Sequence, residues 1–134
     1  MRRLILLDTS AYSAFKRGHE RIERTIQEAE EIYLASIAIG ELLSGFRGGS
    51  RERQNRDGLK QFLSSPRVRL LAVDEDAAER YGVIQHDLRV AGTPIPTNDI
   101  WISAVAMRDG LVVVTTDPHY AKVPHIVVDL HEIA

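Results

Sequence analysis

The sequence predicts an α/β fold with a mainly parallel central sheet and helices on both of its faces. Short aliphatic runs, typical of buried parallel strands, alternate along the chain with longer segments at helical spacing. This alternation requires crossover connections, which are right-handed in nearly all parallel sheets. The length of 134 residues suits one sizeable core, so residues 1–134 are predicted to form a single domain.

Five aliphatic or β-branched runs are predicted strands. The run at residues 4–7 is too short for an isolated helix, and the run at residues 111–115 is rich in valine and threonine, which favour strands. In order, the predicted strands are residues 3–7, 32–35, 68–73, 111–115 and 126–129.

Six segments between these strands are predicted helices. Acidic residues 74–76 suit the start of one helix, because negative charge is favourable at a helix N-terminus. Residues 98–107 are apolar on nearly every face, which predicts a central, buried helix. In order, the predicted helices are a segment through Phe15, residues 20–31, the segment around Glu41, residues 51–63, a segment from residue 74 through Leu88, and residues 98–107.

Four acidic residues, Asp8, Glu41, Asp99 and Asp117, lie where an apolar element ends or would bury them. Asp8 follows the first predicted strand and Asp117 follows the fourth, so both are expected at the carboxyl edge of the sheet, where open α/β folds bind ligands. Glu41 and Asp99 lie in apolar segments predicted to be helical. A carboxylate in such surroundings needs a partner, and the four together predict a metal site assembled by the fold.

Each acid also has a purely structural interpretation. Asp8 and Asp117 suit turns at strand ends, and the glutamate could be a tolerated half-buried acid. Asn98 or Asp99 suits the N-cap of the last predicted helix, and Ser36 suits the N-cap of the helix that carries the glutamate. Taken singly, none of these acids distinguishes a metal site from a structural role.

Short motifs surround the four acids in chain order. They are Leu7-Asp8-Thr9-Ser10-Ala11-Tyr12, Ile39-Gly40-Glu41-Leu42, Asn98-Asp99-Ile100-Trp101-Ile102 and Val114-Thr115-Thr116-Asp117-Pro118-His119-Tyr120. Over essentially the whole chain this pattern resembles the PIN-domain ribonucleases, specifically the VapC-type toxins of bacterial toxin–antitoxin pairs. The family's four acidic positions map onto the four acids, with none missing. One small departure is Tyr120, where these toxins often carry phenylalanine, and we expect it to matter little to the chemistry.

The resemblance implies a three-layer α/β/α PIN-like fold and a metal-dependent endoribonuclease that acts as a toxin. All four acids would be catalytic and hold metal: Asp8 and Asp99 most directly, Glu41 and Asp117 through water or at a second ion. The ion would be Mg²⁺, which prefers oxygen ligands, and Mn²⁺ fits the same set. Metal-activated water would then hydrolyse the RNA backbone, leaving a 5′-phosphate and a 3′-hydroxyl.

Neighbouring side chains and partners are assigned on the same basis. Thr9, Asn98 and Thr116 are candidates for hydrogen bonds that orient the metal-binding carboxylates, whereas capping or turn formation explains Ser10 better. A cognate VapB-type antitoxin is expected to block the acidic crevice, and a homodimer is expected in addition to the RNA substrate. The identity of the antitoxin and of the RNA is left open.

Basic residues are concentrated between residues 47 and 69, although the net charge of the whole chain is −2. Arg47, Arg51, Arg53 and Arg56 are the candidates for RNA binding, because arginine can hold phosphate in a bidentate manner. The alternative is a solvated helix face with ordinary ion pairs, such as the pair of Arg56 with Glu52.

Composition and spacing exclude several other sites. The chain has no cysteine, so disulfides and thiolate zinc sites are excluded. Its five histidines lack the spacing of a zinc hydrolase, and His119 is interpreted as local turn packing. Arg2 and Arg3 precede an apolar stretch too short for a secretion signal or a membrane span, so the expected location is the cytoplasm.

Other functional classes fit the acids less well. A phosphotransfer receiver domain would need paired acids after the first strand, and a haloacid-dehalogenase-type phosphatase would need Asp-x-Asp where the chain has Asp8-Thr9-Ser10. A noncatalytic RNA-binding or partner-binding module on the same fold remains the alternative to the nuclease. Loss of an acid would be its expected sign, and all four acids are present.

Overall fold

The computed structural model of the protein describes residues 3–133, which form a five-stranded sheet, six α-helices and one 3₁₀ helix. The strands are β1 (Leu4–Leu7), β2 (Glu31–Ala35), β3 (Val68–Leu71), β4 (Val112–Thr115) and β5 (Val127–Leu130). The helices are α1 (Thr9–Lys16), α2 (Glu20–Glu28), α3 (Ser36–Arg47), α4 (Glu52–Leu63), α5 (Glu75–Ala91) and α6 (Thr97–Asp109), and the 3₁₀ helix is Pro118–Lys122.

All neighbouring strands are parallel and lie in the order β3-β2-β1-β4-β5, which confirms the predicted parallel sheet. The chain leaves β1 toward β2 and β3 on one side and returns to β4 and β5 on the other. Leu7 is in register with Val114. Asp8 and the residues after Thr115 therefore emerge side by side at the point where the strand order reverses, where open α/β sheets bind ligands.

Two of the three hydrophobic cores within residues 3–133 lie on opposite faces of the sheet, because successive residues of a strand point to opposite sides, and the third lies between α5 and α6. Ile5 and Leu7 pack with α1, α2 and α4 on one face, and Leu6 packs with α5 and α6 on the other. The predicted central, buried helix is confirmed in α6. Its buried residues are Ile100, Ile102, Ser103, Ala104, Val105 and Ala106.

Two helix caps differ from the prediction. Pro96 is the N-cap of α6, so Asn98 and Asp99 lie inside its first turn, and Ala35 rather than Ser36 is the N-cap of α3. The Asp99 carboxylate therefore has no capping role. Because its structural interpretation is wrong, another explanation is needed for an acid at this position.

Element boundaries differ from the prediction by a few residues. The second helix ends at Glu28 rather than at residue 31, because Ala29 is extended and leads into β2. The carbonyls of Ile26 and Ala29 at this helix end accept hydrogen bonds from Arg67. The third strand ends at Leu71, and the 3₁₀ helix after β4 was not predicted. No helix within residues 3–133 is long and apolar enough to cross a membrane.

Candidate active site

Asp8 is buried at the carboxyl end of β1, with 3% of its surface exposed. Its Oδ1 accepts hydrogen bonds from the backbone N–H of Ala11 and the hydroxyl of Ser10, both at 2.8 Å. Its Oδ2 accepts a hydrogen bond of 2.7 Å from the hydroxyl of Thr115, at the end of β4. Asp8 thus caps α1 and is also fixed against the neighbouring strand.

Burial raises the pKa of Asp8 from its ordinary value of 3.8 to about 6. Hydrogen bonds from Thr115, Ala11 and Ser10 lower the pKa against this trend, and the negative charge of Asp99 raises it further. The ionised form is therefore disfavoured both by desolvation and by a second carboxylate. A cation in the crevice would offset both effects.

The raised pKa of Asp8 predicts that the metal-free protein loses stability as the pH rises. Between pH 3.8 and about 6 the folded state holds a proton on Asp8 that the unfolded state has lost, so this stabilisation disappears as the pH passes about 6. The predicted effect is on the order of 2–3 kcal/mol. Urea unfolding in EDTA at pH 4.5, 5.5 and 6.5 should show a decline that is steeper in the wild type than in Asp8→Asn. Parallel pH dependences of the two proteins would contradict the raised pKa.

Glu41 is held between the helices that carry the other acids. The hydroxyl of Thr9 donates to its Oε1 at 2.6 Å, and the side-chain amide of Asn98 donates to its Oε2 at 3.2 Å. Thr9 directly follows Asp8, and Asn98 directly precedes Asp99. The two hydrogen bonds have the geometry predicted for orienting side chains, and their role in metal binding stays a prediction.

Asp99, Asp117 and His119 form a cluster of possible metal ligands at the sheet edge. His119 Nδ1 lies 3.2 Å from Asp99 Oδ2 and 3.1 Å from Asp117 Oδ1. One ligand atom from each residue lies within 4.8 Å of the other two, which is the arrangement of a group that could hold a metal ion. Within residues 3–133 no other set of three such residues has this arrangement.

Burial and the negative charge of Asp117 raise the pKa of Asp99, while hydrogen bonds from His119 and Tyr120 lower it. The Tyr120 hydroxyl is 3.3 Å from Asp99 Oδ1. Burial raises the pKa of Tyr120 far above its ordinary value, and the charges of Asp8, Asp99 and Glu41 add to this effect. Tyr120 therefore keeps its proton and donates to Asp99, a contact that phenylalanine could not make.

Comparison with known proteins identifies the family and the fold. Residues 5–126 match the PIN domain. The chain belongs to the PIN-domain family. Ribonuclease VapC2 of Haemophilus influenzae is 31% identical over 114 residues, which cover 84% of this PIN domain chain and 85% of that protein. Ribonuclease VapC4 of Mycobacterium tuberculosis is 30% identical over 90 residues, which cover 67% of this chain and 69% of that protein.

A solved structure extends the similarity to the whole described fold. The crystal structure of DNA-bound VapBC from Salmonella typhimurium contains a chain that superposes with a TM-score of 0.82 and 30% identity, covering 96% of this chain and 98% of that one. These similarities confirm the VapC-type PIN domain and its three-layer α/β/α architecture.

Three side chains of the PIN-domain site were set aside or missed in the sequence. His119 makes the predicted local turn contact, since its backbone N–H donates to Asp117, but its ring also contacts both Asp99 and Asp117, which the turn interpretation left out. Ser10 donates to Asp8, and Thr115 was not considered. Thr116 contributes its backbone N–H, which donates to Ser10 Oγ at 3.0 Å, and its side chain makes no hydrogen bond within residues 3–133.

The basic residues around α4 are divided between ion pairs and free cations. Arg47 Nε and Arg56 Nη1 lie 3.7 and 3.9 Å from Glu52 Oε2. These two arginines therefore agree with the alternative interpretation, a solvated helix face with ordinary ion pairs. Arg51 and Arg53 are exposed, and no carboxylate within residues 3–133 pairs with them. They are the stronger candidates among the four arginines, and RNA binding by any of them stays a prediction.

Proposed function

We propose that this PIN domain is a metal-dependent endoribonuclease that acts as the toxin of a toxin–antitoxin pair. The observation that carries the proposal is the cluster of Asp99, Asp117 and His119 beside the buried Asp8, at the carboxyl edge of a parallel sheet. The relatives named ribonuclease VapC support the same activity. Neighbouring carboxylates repel one another, and a bound cation would offset this unfavourable repulsion.

The side chains present fit a divalent cation. Carboxylate oxygens suit Mg²⁺ and Mn²⁺, and burial and neighbouring charge raise the pKa values of Asp8 and Asp99, which a cation would reverse. We assign Asp99, Asp117 and His119 as a ligand group, with Asp8 and Glu41 completing the coordination directly or through water. A bound divalent ion lowers the pKa of a coordinated water and stabilises charge on phosphoryl oxygens.

The remaining polar residues of the site hold these ligands in place. Ser10 and Thr115 fix both oxygens of Asp8, and Thr9 and Asn98 fix both oxygens of Glu41. The donors to Asp8 come from α1 and β4, and those to Glu41 come from α1 and α6, so the position of each carboxylate depends on the packing of its own element against two others. Loss of such a hydrogen bond to a metal ligand typically lowers metal affinity or activity by about 10–100-fold.

The partners follow from the toxin assignment. The solved relatives include VapBC complexes, so we propose that a VapB-type antitoxin binds this chain and blocks the acidic crevice. A homodimer and an RNA substrate are proposed on the same basis, and action on cellular RNA would place the protein in the cytoplasm. Exposed Arg51 and Arg53 are proposed to contact RNA phosphates, with a weaker contribution from Arg47 and Arg56.

The direct test is cleavage of total cellular RNA by purified protein freed of antitoxin. We expect cuts with Mg²⁺ or Mn²⁺, no cuts in EDTA, and recovery when the ion is added back. Mapping of the ends should show 5′-phosphates and would identify the RNA target. Stoichiometric RNA binding without cleavage under any metal would instead support a noncatalytic module.

A further inference from the structure

A small cavity lies between α1, α3 and α4. It has a volume of about 230 Å³ and is lined by Tyr12, Ser13, Lys16, Arg17, Phe46 and Asn55. None of these residues belongs to the group assigned above to metal binding. The cavity therefore needs its own explanation.

The cavity is aligned with the acidic site along one face of α1. Thr9, Ser13 and Lys16 are spaced at i, i+4 and i+7, so their side chains share that face. Thr9 holds Glu41, whereas the other two line the cavity. At a rise of about 1.5 Å per residue, the cavity begins roughly 6–10 Å along the helix from the acids. A nucleotide next to the cleaved phosphodiester would lie within this range.

The walls of the cavity combine three kinds of group. Phe46 supplies a partly exposed aromatic ring, whereas the Tyr12 ring is buried against Phe15 and Phe62. Ser13 and Asn55 supply side chains that can both donate and accept hydrogen bonds. The Asn55 side chain is exposed and makes no hydrogen bond within residues 3–133. Its amide is therefore available to a ligand.

Two cations stand at the rim of the cavity. Lys16 and Arg17 are exposed, and no carboxylate within residues 3–133 pairs with either of them. Lys16 lies across α4 at Gly58, where a Cβ would come 3.5 Å from its Nζ. That distance is an ordinary van der Waals contact, so the ammonium group of Lys16 lies against α4 one turn from the lining residue Asn55.

An aromatic ring, an amide and two cations without a carboxylate partner together match an unstacked nucleotide. Its base can stack and form edge hydrogen bonds while its phosphate contacts a cation, and Lys16 has only the ring of Phe15 as a partner, 6.0 Å from its Nζ. A protein partner's apolar side chain would be better accommodated in the separate groove of about 560 Å³ between α3 and α4. That groove is lined by Ile39, Leu43, Leu59 and Leu63, among others.

We propose that the cavity is a subsite for the base of one nucleotide beside the scissile bond. Asn55 and Ser13 read the edge of the base, the ring of Phe46 packs against it, and Lys16 and Arg17 hold the adjoining phosphate. This assignment rests on the proposed ribonuclease function and adds to it a place where the sequence of the RNA is recognised.

The test compares RNA that carries bases with an abasic backbone of equal length. Eight-nucleotide oligo(A), oligo(C), oligo(G), oligo(U) and their abasic counterpart, all fluorescein-labelled, are titrated by anisotropy in EDTA. The protein carries Asp99→Asn, so that the RNA stays intact. We expect Asn55→Ala and Phe46→Leu to lower the affinity for at least one base-bearing RNA by about tenfold and to leave the affinity for the abasic backbone unchanged. Lys16→Ala should lower the affinity for the base-bearing and the abasic oligonucleotides by the same factor.

Gln54→Ala is the matched control, because Gln54 is exposed on α4 next to Asn55 and does not line the cavity. Equal losses for base-bearing and abasic ligands, or no loss with any base, would overturn the subsite. If the affinity losses depend on the base and the wild type cleaves no RNA with either metal, the subsite would be supported and the nuclease overturned. Failure to bind any of the oligonucleotides would overturn the subsite, whereas the nuclease is tested separately by cleavage of cellular RNA with the wild type and Mg²⁺ or Mn²⁺.

Discussion

Replacement of Asp99 by asparagine is expected to abolish metal-dependent RNA cleavage, with a loss of more than about a hundredfold. The reason is that Asp99 interacts with two of the other acids: His119 contacts both Asp99 and Asp117, and the charge of Asp99 raises the pKa of Asp8. A direct ligand should contribute more than the outer hydrogen bonds of a metal site, whose loss costs about 10–100-fold. Initial rates on a mapped RNA substrate at saturating Mg²⁺ would measure the effect.

The same substitution should leave the fold intact and slightly stabilise the metal-free protein. Burial and Asp117 raise the pKa of Asp99, so the ionised carboxylate is unfavourable in the folded state and a neutral amide relieves this cost. Thermal unfolding in EDTA should therefore give a melting temperature at least equal to that of the wild type. Mg²⁺ should raise the melting temperature of the wild type and not that of Asp99→Asn, because only the former binds it.

Asp109→Asn provides a matched control at the opposite end of the same helix. Asp109 is the last residue of α6 and pairs with Arg108 rather than with the site. We expect it to leave cleavage within about twofold of the wild type, as is usual for surface substitutions. Full activity of Asp99→Asn would refute the proposed site, and a fall in melting temperature in EDTA would refute the electrostatic reason given for it.

The acids at strand ends could be predicted because their position depends only on strand direction. Parallel strands bring their carboxyl ends to one edge, so Asp8 and Asp117 had to approach each other once β1 and β4 were adjacent. The buried character of α6 was equally accessible, since residues 98–107 are apolar on nearly every face. These predictions use periodicity and composition alone.

The hydrogen bonds of the site could not be predicted in the same way, because they depend on register and on the conformation of the backbone around each cap. Thr115 reaches Asp8 only because Leu7 and Val114 are in register. Asp99 was interpreted as a possible helix cap, but the extended backbone of Pro96 takes that position. His119 has no spacing that marks a metal site, since its partner Asp99 lies twenty residues away in sequence.

His119 leads to a second prediction with a large effect, on the choice of metal ion. Imidazole nitrogen favours later transition metals, whereas Mg²⁺ strongly prefers oxygen. If His119 is a ligand, His119→Asn should weaken binding in the order Ni²⁺ more than Mn²⁺ more than Mg²⁺, with a loss of at least about tenfold for Ni²⁺. Isothermal titration calorimetry of the three ions at pH 7.5 would measure the ratios without any need for cleavage.

The ratio of affinities separates ligation from other effects of His119. Its hydrogen bond and charge lower the pKa of Asp99, so its loss also changes the electrostatics of the acids, but that change acts on every divalent ion by a similar factor. Equal losses for Ni²⁺ and Mg²⁺ would therefore assign His119 to orienting the carboxylates rather than to binding metal. His86→Asn is the matched control, because His86 is exposed on α5 and lies outside the acidic cluster. Unequal losses would mean that one imidazole sets the metal selectivity of this PIN domain. The four acids would then bind the ion without determining which ion is preferred.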